Sequence, residues 1–206
     1  MNINNNVINL IIVAHQDDES IWAADILNST CYVLVICGKN KDHNITKIRN
    51  IEIKNAMNII KCEYEVCDFY DKKYRWDDII KKNIEIKIIN TINNFPSLQK
   101  IYTHNEYGEY GHQDHIRLHY IVKQICEHMY NQKKLYFFNP RIDYEKIQKP
   151  NNIKESYSFS AGMLEKFKNK NISYATDSIK RTQLLDQYNS QTINIFRNIL
   201  IEYKSS

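Results

Sequence analysis

Five short apolar runs punctuate the chain: VINLIIVA at 7–14, YVLVIC at 32–37, YEVC at 64–67, KIYTH at 100–104 and LYFFN at 135–139. The first two are apolar almost throughout, the pattern of strands buried on both faces. Helical periodicity fills the gaps, over 19–28, 46–61, 76–93 and 112–130. The third of these carries Ile80, Ile84, Ile88 and Ile92 at a spacing of four, a stripe that faces a core. Strands alternating with helices predict an α/β fold, a Rossmann-like, doubly wound and mostly parallel sheet of order 3-2-1-4-5. Beyond residue 140 the pattern loosens into a small C-terminal extension, with a strand-like SYSFS at 156–160 and helices near 177–187 and 191–203. Neither a repeat nor a linker interrupts the chain, so one domain over 1–206 is expected.

Composition narrows the class. The chain has 206 residues, enough to bury a sizeable core, and its hydrophobic content of 43% suits a soluble globular protein. A net charge of +4 is scattered, without the basic stripe that nucleic acid requires. With 25 Asn against 4 Gly, Asn is expected to occupy left-handed turn positions. Five Cys without a CxxC spacing read as buried free thiols. No leader or membrane-length apolar run is visible, so the expected location is cytoplasmic, without a membrane span.

In a sheet of order 3-2-1-4-5 the order reverses between strands 1 and 4, and ligands bind beyond their carboxyl ends. The loops there hold the most unusual stretches of the chain. The first is AHQDDES at 14–20, an imidazole followed by three carboxylates. The second is THNEYGEYGHQDHIRLH at 103–119, which contains four of the seven His and begins its loop at Asn105, a candidate substrate contact. His119 reads as a surface or capped helix residue, and His104 as a satisfied, semi-buried side chain. For His112 and His115, flanking Asp114, that reading weakens beside a second acid-rich loop. Imidazole with carboxylate suits zinc, which in catalytic sites takes three protein ligands and leaves one position open. One His and one Asp of the first loop, with one His of the second, supply the count. A remaining carboxylate could then deprotonate water whose pKa the metal lowers to about 7. The other His of HQDH could stabilise developing charge, with Asp114 fixing its tautomer.

These stretches resemble the motifs of the LmbE-like or PIG-L-type de-N-acetylases. AHQDDE is similar to their AHPDDE, and GEYGHQDH to their GHPDH. SIKRTQLLDQYNSQ at 178–191 resembles the helix that ends in Tyr-x-Ser-Gln, and RNIEIKNAM at 49–57 the Arg-x-x-Glu-x-x-x-Ala helix after strand 2. The likeness spans most of residues 7–191. It implies His15, Asp18 and His115 as zinc ligands, with ferrous iron the alternative metal, and Asp17 as general base. It further implies His112 at the oxyanion or leaving amine, oriented by Asp114, and Tyr110 as a mobile tyrosine near the carbonyl. Arg49 would contact sugar hydroxyls or a phosphate, and Glu19 would start a helix. Lys180, Tyr188, Ser190 and Gln191 would pack around the site.

Gln16 and Gln113 stand where the family usually has Pro. Proline fixes φ and stiffens a loop, so a looser ligand loop is expected here, with every ligand and the base retained. The expected activity is hydrolysis of the acetamide of an N-acetylated amino sugar, free or conjugated, and a homo-oligomer is compatible with it. The alternative is a non-catalytic carbohydrate- or nucleotide-binding module on the same scaffold. A phosphate-binding Rossmann enzyme is set aside, because no GxGxxG follows strand 1 and acids there repel a pyrophosphate.

Overall fold

The computed structural model describes residues 6–70, 76–138 and 178–191. Its elements run β1 (Asn9–Val13), α1 (Asp18–Trp22), β2 (Cys31–Val35), α2 (His43–Ile60), β3 (Glu63–Val66) and α3 (Asp78–Asn93). They continue with β4 (Lys100–Thr103), α4 (Gly108–Gly111), α5 (Gln113–Met129), β5 (Lys134–Phe137) and α6 (Ser178–Leu185). The sheet has the expected order, β3-β2-β1-β4-β5, and every pairing in it is parallel.

β1 is central, registered Ile11↔Val33 on one side and Ile11↔Tyr102 on the other. Successive side chains of a strand point to opposite faces, so β1 feeds two cores. Ile11 and Val13 pack with Ile21 and Trp22 of α1, Ile53 and Met57 of α2, and Leu184 and Leu185 of α6. Leu10 and Ile12 pack with Ile84, Ile88 and Ile92 of α3 and Leu118, Val122 and Ile125 of α5. The expected stripe of α3 is this second contact, with Ile80 half-buried at its start. Asp42 caps α2 by accepting from the Asn44 N–H, and Asp77 caps α3 by accepting from the Ile80 N–H, both at 2.8 Å.

Two details depart from expectation. The helix expected over 19–28 stops at Trp22, and the chain then turns toward α6. There Asp25 binds Arg181 at 3.0 Å and the Leu27 carbonyl accepts from Lys180. The helix expected over 112–130 is present as α5, and the extended backbone of His112 (φ −68°, ψ 123°) separates it from the single turn of α4. The left-handed non-glycine positions among the described residues are Asp17, Lys61 and Glu109, not asparagines. The expected strand at 156–160 and helix at 191–203 fall almost entirely outside the described residues.

Candidate functional site

The loops after β1 and β4 meet at the point where the sheet order reverses. His15 Nδ1 and Asp18 Oδ2 lie 3.3 Å apart, His115 Nε2 and Asp18 Oδ2 3.2 Å, and His115 Nε2 and His15 Nδ1 3.3 Å. Zinc bond lengths of about 2.0–2.1 Å place tetrahedral nitrogen and oxygen ligands about 3.3 Å apart. The three atoms are therefore spaced as a tetrahedral divalent ion requires, and a catalytic zinc with three protein ligands would keep its fourth position for a small ligand. The residues fit the metal.

Each imidazole of this triangle turns its other nitrogen to a carboxylate. His115 Nδ1 meets Glu109 Oε2 at 2.7 Å, and His15 Nε2 faces Asp114 Oδ2 at 3.6 Å. A bond such as that from His115 fixes the tautomer and ring angle of a ligating histidine, while Asp114 at 3.6 Å is a charge neighbour of His15. Glu109 was not singled out from the sequence, yet it organises the second loop. It is fully buried, sits at φ 56°, and its Oε2 also takes His104 Nδ1 at 2.8 Å. Its Oε1 accepts the Asn105 N–H at 2.9 Å. Burial alone would raise its pKa; His104 and the bonds from both imidazoles outweigh it and hold Glu109 down at about 2. The sequence did carry a signal: an acid between two glycines, within the loop that holds four histidines, each needing a partner for its outer nitrogen.

His104 is wholly buried, stacked on His115 with ring centroids 3.8 Å apart. Burial opposes a second proton on it, while Glu109 and Asp18 favour one and push its pKa up to about 9. The Ala14 N–H, however, points at Nε2 from 3.0 Å and needs the lone pair that this proton would take. The fixed amide decides, and Nε2 keeps its lone pair. His119 is buried rather than superficial, with its Nδ1 2.9 Å from the His104 carbonyl.

Charge crowding in the first loop is resolved by dividing the acids. Burial, then the neighbouring Asp18 charge, pushes Asp17 well above the usual carboxylate range, against His15 and Arg49. Asp18, despite burial, is held well below that range by His115 and His104, and the Trp22 indole donates to its Oδ1 at 3.0 Å. Burial raises Glu19, against bonds from Tyr188 and Ser20. Glu19 sits in the first turn of α1 as expected, but it does more there. Its carboxylate accepts the Asp17 N–H at 3.1 Å, the Ser20 hydroxyl at 2.7 Å and the Tyr188 hydroxyl. Asp17 itself has φ 124°, a strained angle for a side chain with a Cβ, and keeps partial solvent contact where Asp18 and Glu19 have almost none.

His112 ends α4 and caps α5: its Nδ1 accepts the Asp114 N–H at 3.2 Å, which puts the ring proton on Nε2. Burial, then the His15 and His115 charges, lower its pKa to about 3, so the ring is a neutral donor. The orienting group of Asp114 is thus its amide. The Asp114 carboxylate instead accepts from Arg117 at 2.8 Å and faces His15. Asn105, expected as a substrate contact, is committed to the loop. Its Nδ2 donates to the Phe138 carbonyl at 2.9 Å, and its Oδ1 accepts the Tyr107 and Glu109 amides at 2.9 and 3.2 Å. Arg49 is half-buried and close enough for its charge to act on Asp17. The backbone of Tyr110 belongs to α4, while its side chain lies outside the described residues.

The two glutamines differ. Gln113 is exposed at the first position of α5, where a backbone N–H has no helical partner and Pro and Gln serve alike. Gln16 is fully buried; its Nε2 donates to Asn50 at 2.9 Å and its carbonyl accepts from Gln191 Nε2 at 2.5 Å. Side-chain bonds thus replace the ring, and the loop is clamped where a looser one was expected. The segment after α6 supplies further bonds behind the site, with Ser190 donating its N–H and hydroxyl to Glu52, each at 2.6 Å.

The family model of PIG-L, GlcNAc-PI de-N-acetylase, matches residues 10–126, from β1 through most of α5. The chain belongs to the PIG-L family. An uncharacterised protein of Acanthamoeba polyphaga mimivirus is 30% identical over 144 residues, covering 63% of this chain and 60% of that protein. The chain thus spans about 60% of the length of the curated relative it matches. Among solved structures, the 4-carboxy-2-hydroxymuconate hydratase GalB of Pseudomonas putida superposes with a TM-score of 0.64 at 12% identity, over 93% of this chain and 82% of that one. A triple mutant of a deacetylase of teicoplanin biosynthesis gives 0.62 at 14% identity, over 93% and 88%. At that identity both likenesses establish the PIG-L fold, and a hydratase beside a deacetylase leaves the reaction to be argued from the site. No helix among the described residues is long and apolar enough to cross a membrane.

Proposed function

We propose that the protein is a metal-dependent de-N-acetylase that hydrolyses the acetamide of an N-acetylated amino sugar, free or conjugated, in the cytoplasm. The observation that carries this reading is the triangle of His15 Nδ1, Asp18 Oδ2 and His115 Nε2, spaced for a divalent ion beside the partly exposed Asp17. Zinc, or ferrous iron, when bound would supply Lewis acidity at the acetamide oxygen and make water more acidic. Asp17, with its raised pKa, takes a proton from the attacking water as the new C–O bond forms. His112 Nε2–H donates to the developing oxyanion, a role suited to a neutral imidazole whose Nδ1 is already occupied. Asp17 then passes its proton to the amine nitrogen as the C–N bond breaks, giving the free amine and acetic acid, which ionises to acetate in solution. Arg49 meets sugar hydroxyls or a phosphate of the substrate.

The test is acetate release across a panel of N-acetylated sugars and nucleotide sugars, using metal-stripped protein with and without added zinc or ferrous iron. Metal-dependent acetate from at least one amino sugar is expected. A panel that yields no acetate with metal restored would sink the proposal.

A further inference from the structure

Cys37 lies two residues beyond β2, and its N–H donates to the Ala14 carbonyl at 2.7 Å, which lays it alongside the loop that carries His15. It is 1% exposed. Its sulfur, a ring nitrogen of His15 and a carboxylate oxygen of Asp114 all lie within 4.8 Å of one another, and all three residues are buried. Within that group His15 Nε2 and Asp114 Oδ2 are 3.6 Å apart, while Arg117 holds the other oxygen, Oδ1, at 2.8 Å. The triangle described above uses the opposite nitrogen of the same ring, Nδ1.

We propose that Cys37, His15 and Asp114 form a second site for a borderline-soft divalent cation, of which zinc is the natural occupant, with the His15 ring bridging it to the first. Thiolate, imidazole and carboxylate together select zinc-like ions over magnesium or calcium, which prefer oxygen alone. Bond lengths of about 2.3 Å to sulfur and 2.0–2.2 Å to nitrogen and oxygen put tetrahedral donor atoms about 3.4–3.6 Å apart. His15 Nε2 and Asp114 Oδ2 stand 3.6 Å apart and all three donor atoms lie within 4.8 Å of one another, so closing the site asks for small side-chain adjustments. Binding is a substitution without redox change: the cation exchanges waters for three protein ligands. The Cys37 thiol and the His15 Nε2–H each release a proton to solvent. An ion held there draws Asp114 and His15 onto itself. On the deacetylase reading, excess zinc therefore slows acetate release by reshaping the first site.

Titration of the metal-stripped full chain with cobalt(II) tests the site, because only a thiolate ligand gives an intense near-ultraviolet charge-transfer band. The first equivalent should bring weak visible bands without it, and the second should add it. Cys37→Ser and Cys37→Ala should each lose the charge-transfer band and one equivalent while keeping the visible bands, which report an intact first site and fold. Absence of the band at excess cobalt, or its survival in both variants, overturns the proposal. Acetate release measured on the one-equivalent samples separates this outcome from failure of the deacetylase reading, since that activity needs only the first ion.

Discussion

Glu109→Gln changes one oxygen to an amino group and nothing else in shape, and the consequences follow from the three donors converging on the carboxylate. His104 and His115 reach Oε2 at 2.8 and 2.7 Å, and the Asn105 amide reaches Oε1 at 2.9 Å. Turned one way, the new NH2 confronts both imidazole N–H groups. His115 must then move its proton to Nε2, the atom that faces Asp18 and His15. Turned the other way, the Asn105 N–H loses its partner and the imidazoles keep only a neutral acceptor. A hydrogen bond to a charged group contributes about 1.5–3 kcal/mol, so the substitution should cost that much stability. For a chain of this size that lowers Tm by about 3–12 °C. Loss of an outer carboxylate partner typically weakens a metal site about 10–100-fold, and the first zinc should weaken to that degree. Scanning calorimetry reads the first effect and competition with a chromogenic chelator the second. A Glu109→Gln protein with wild-type Tm and wild-type zinc affinity would refute the role given to Glu109.

Other outcomes follow from neighbouring contacts. Ser190→Ala removes the hydroxyl at 2.6 Å from the buried Glu52 and should destabilise by about 1.5–3 kcal/mol in a denaturant titration, with zinc affinity unchanged. Gly108→Ala should be more costly to folding than an exposed helical Gly→Ala change is beneficial, because φ is 61° and a Cβ would meet Ile116 Cγ1 at 2.8 Å. The five cysteines are buried, and burial pushes Cys67 up to about 12 and Cys126 up to about 11. Metal-stripped native protein at pH 8 should therefore react negligibly with a disulfide reagent and release five thiols only when unfolded; rapid native labelling of Cys67 or Cys126 would contradict that burial.

The frame was legible because β1 and β2 are apolar on both faces and the Ile84, Ile88 and Ile92 stripe has a single helical reading. From the resulting strand order, the meeting of the His15 and His115 loops follows by topology alone. What stayed hidden depends on hydrogen-bond direction, which periodicity does not encode. Glu109 reads as one more turn acid until α4 places it at φ 56° beneath two imidazoles. Asp114 reads as the partner of His112 through its carboxylate, whereas the His112 N-cap accepts the Asp114 amide and leaves the carboxylate to Arg117 and His15. Gln16 reads as a lost proline because its replacement, a pair of bonds to Asn50 and Gln191, comes from residues 34 and 175 positions away.

The central claim is that Asp17 moves the protons of acetamide hydrolysis beside an ion held by His15, Asp18 and His115. Acetate release by wild type and Asp17→Asn, compared on the best N-acetylated sugar of the panel at equal measured metal content, tests it most directly. The account predicts that Asp17→Asn keeps its metal and its fold and loses acetate release by at least about 100-fold, the low end for a general base. Wild-type rates in the metal-loaded variant would contradict it.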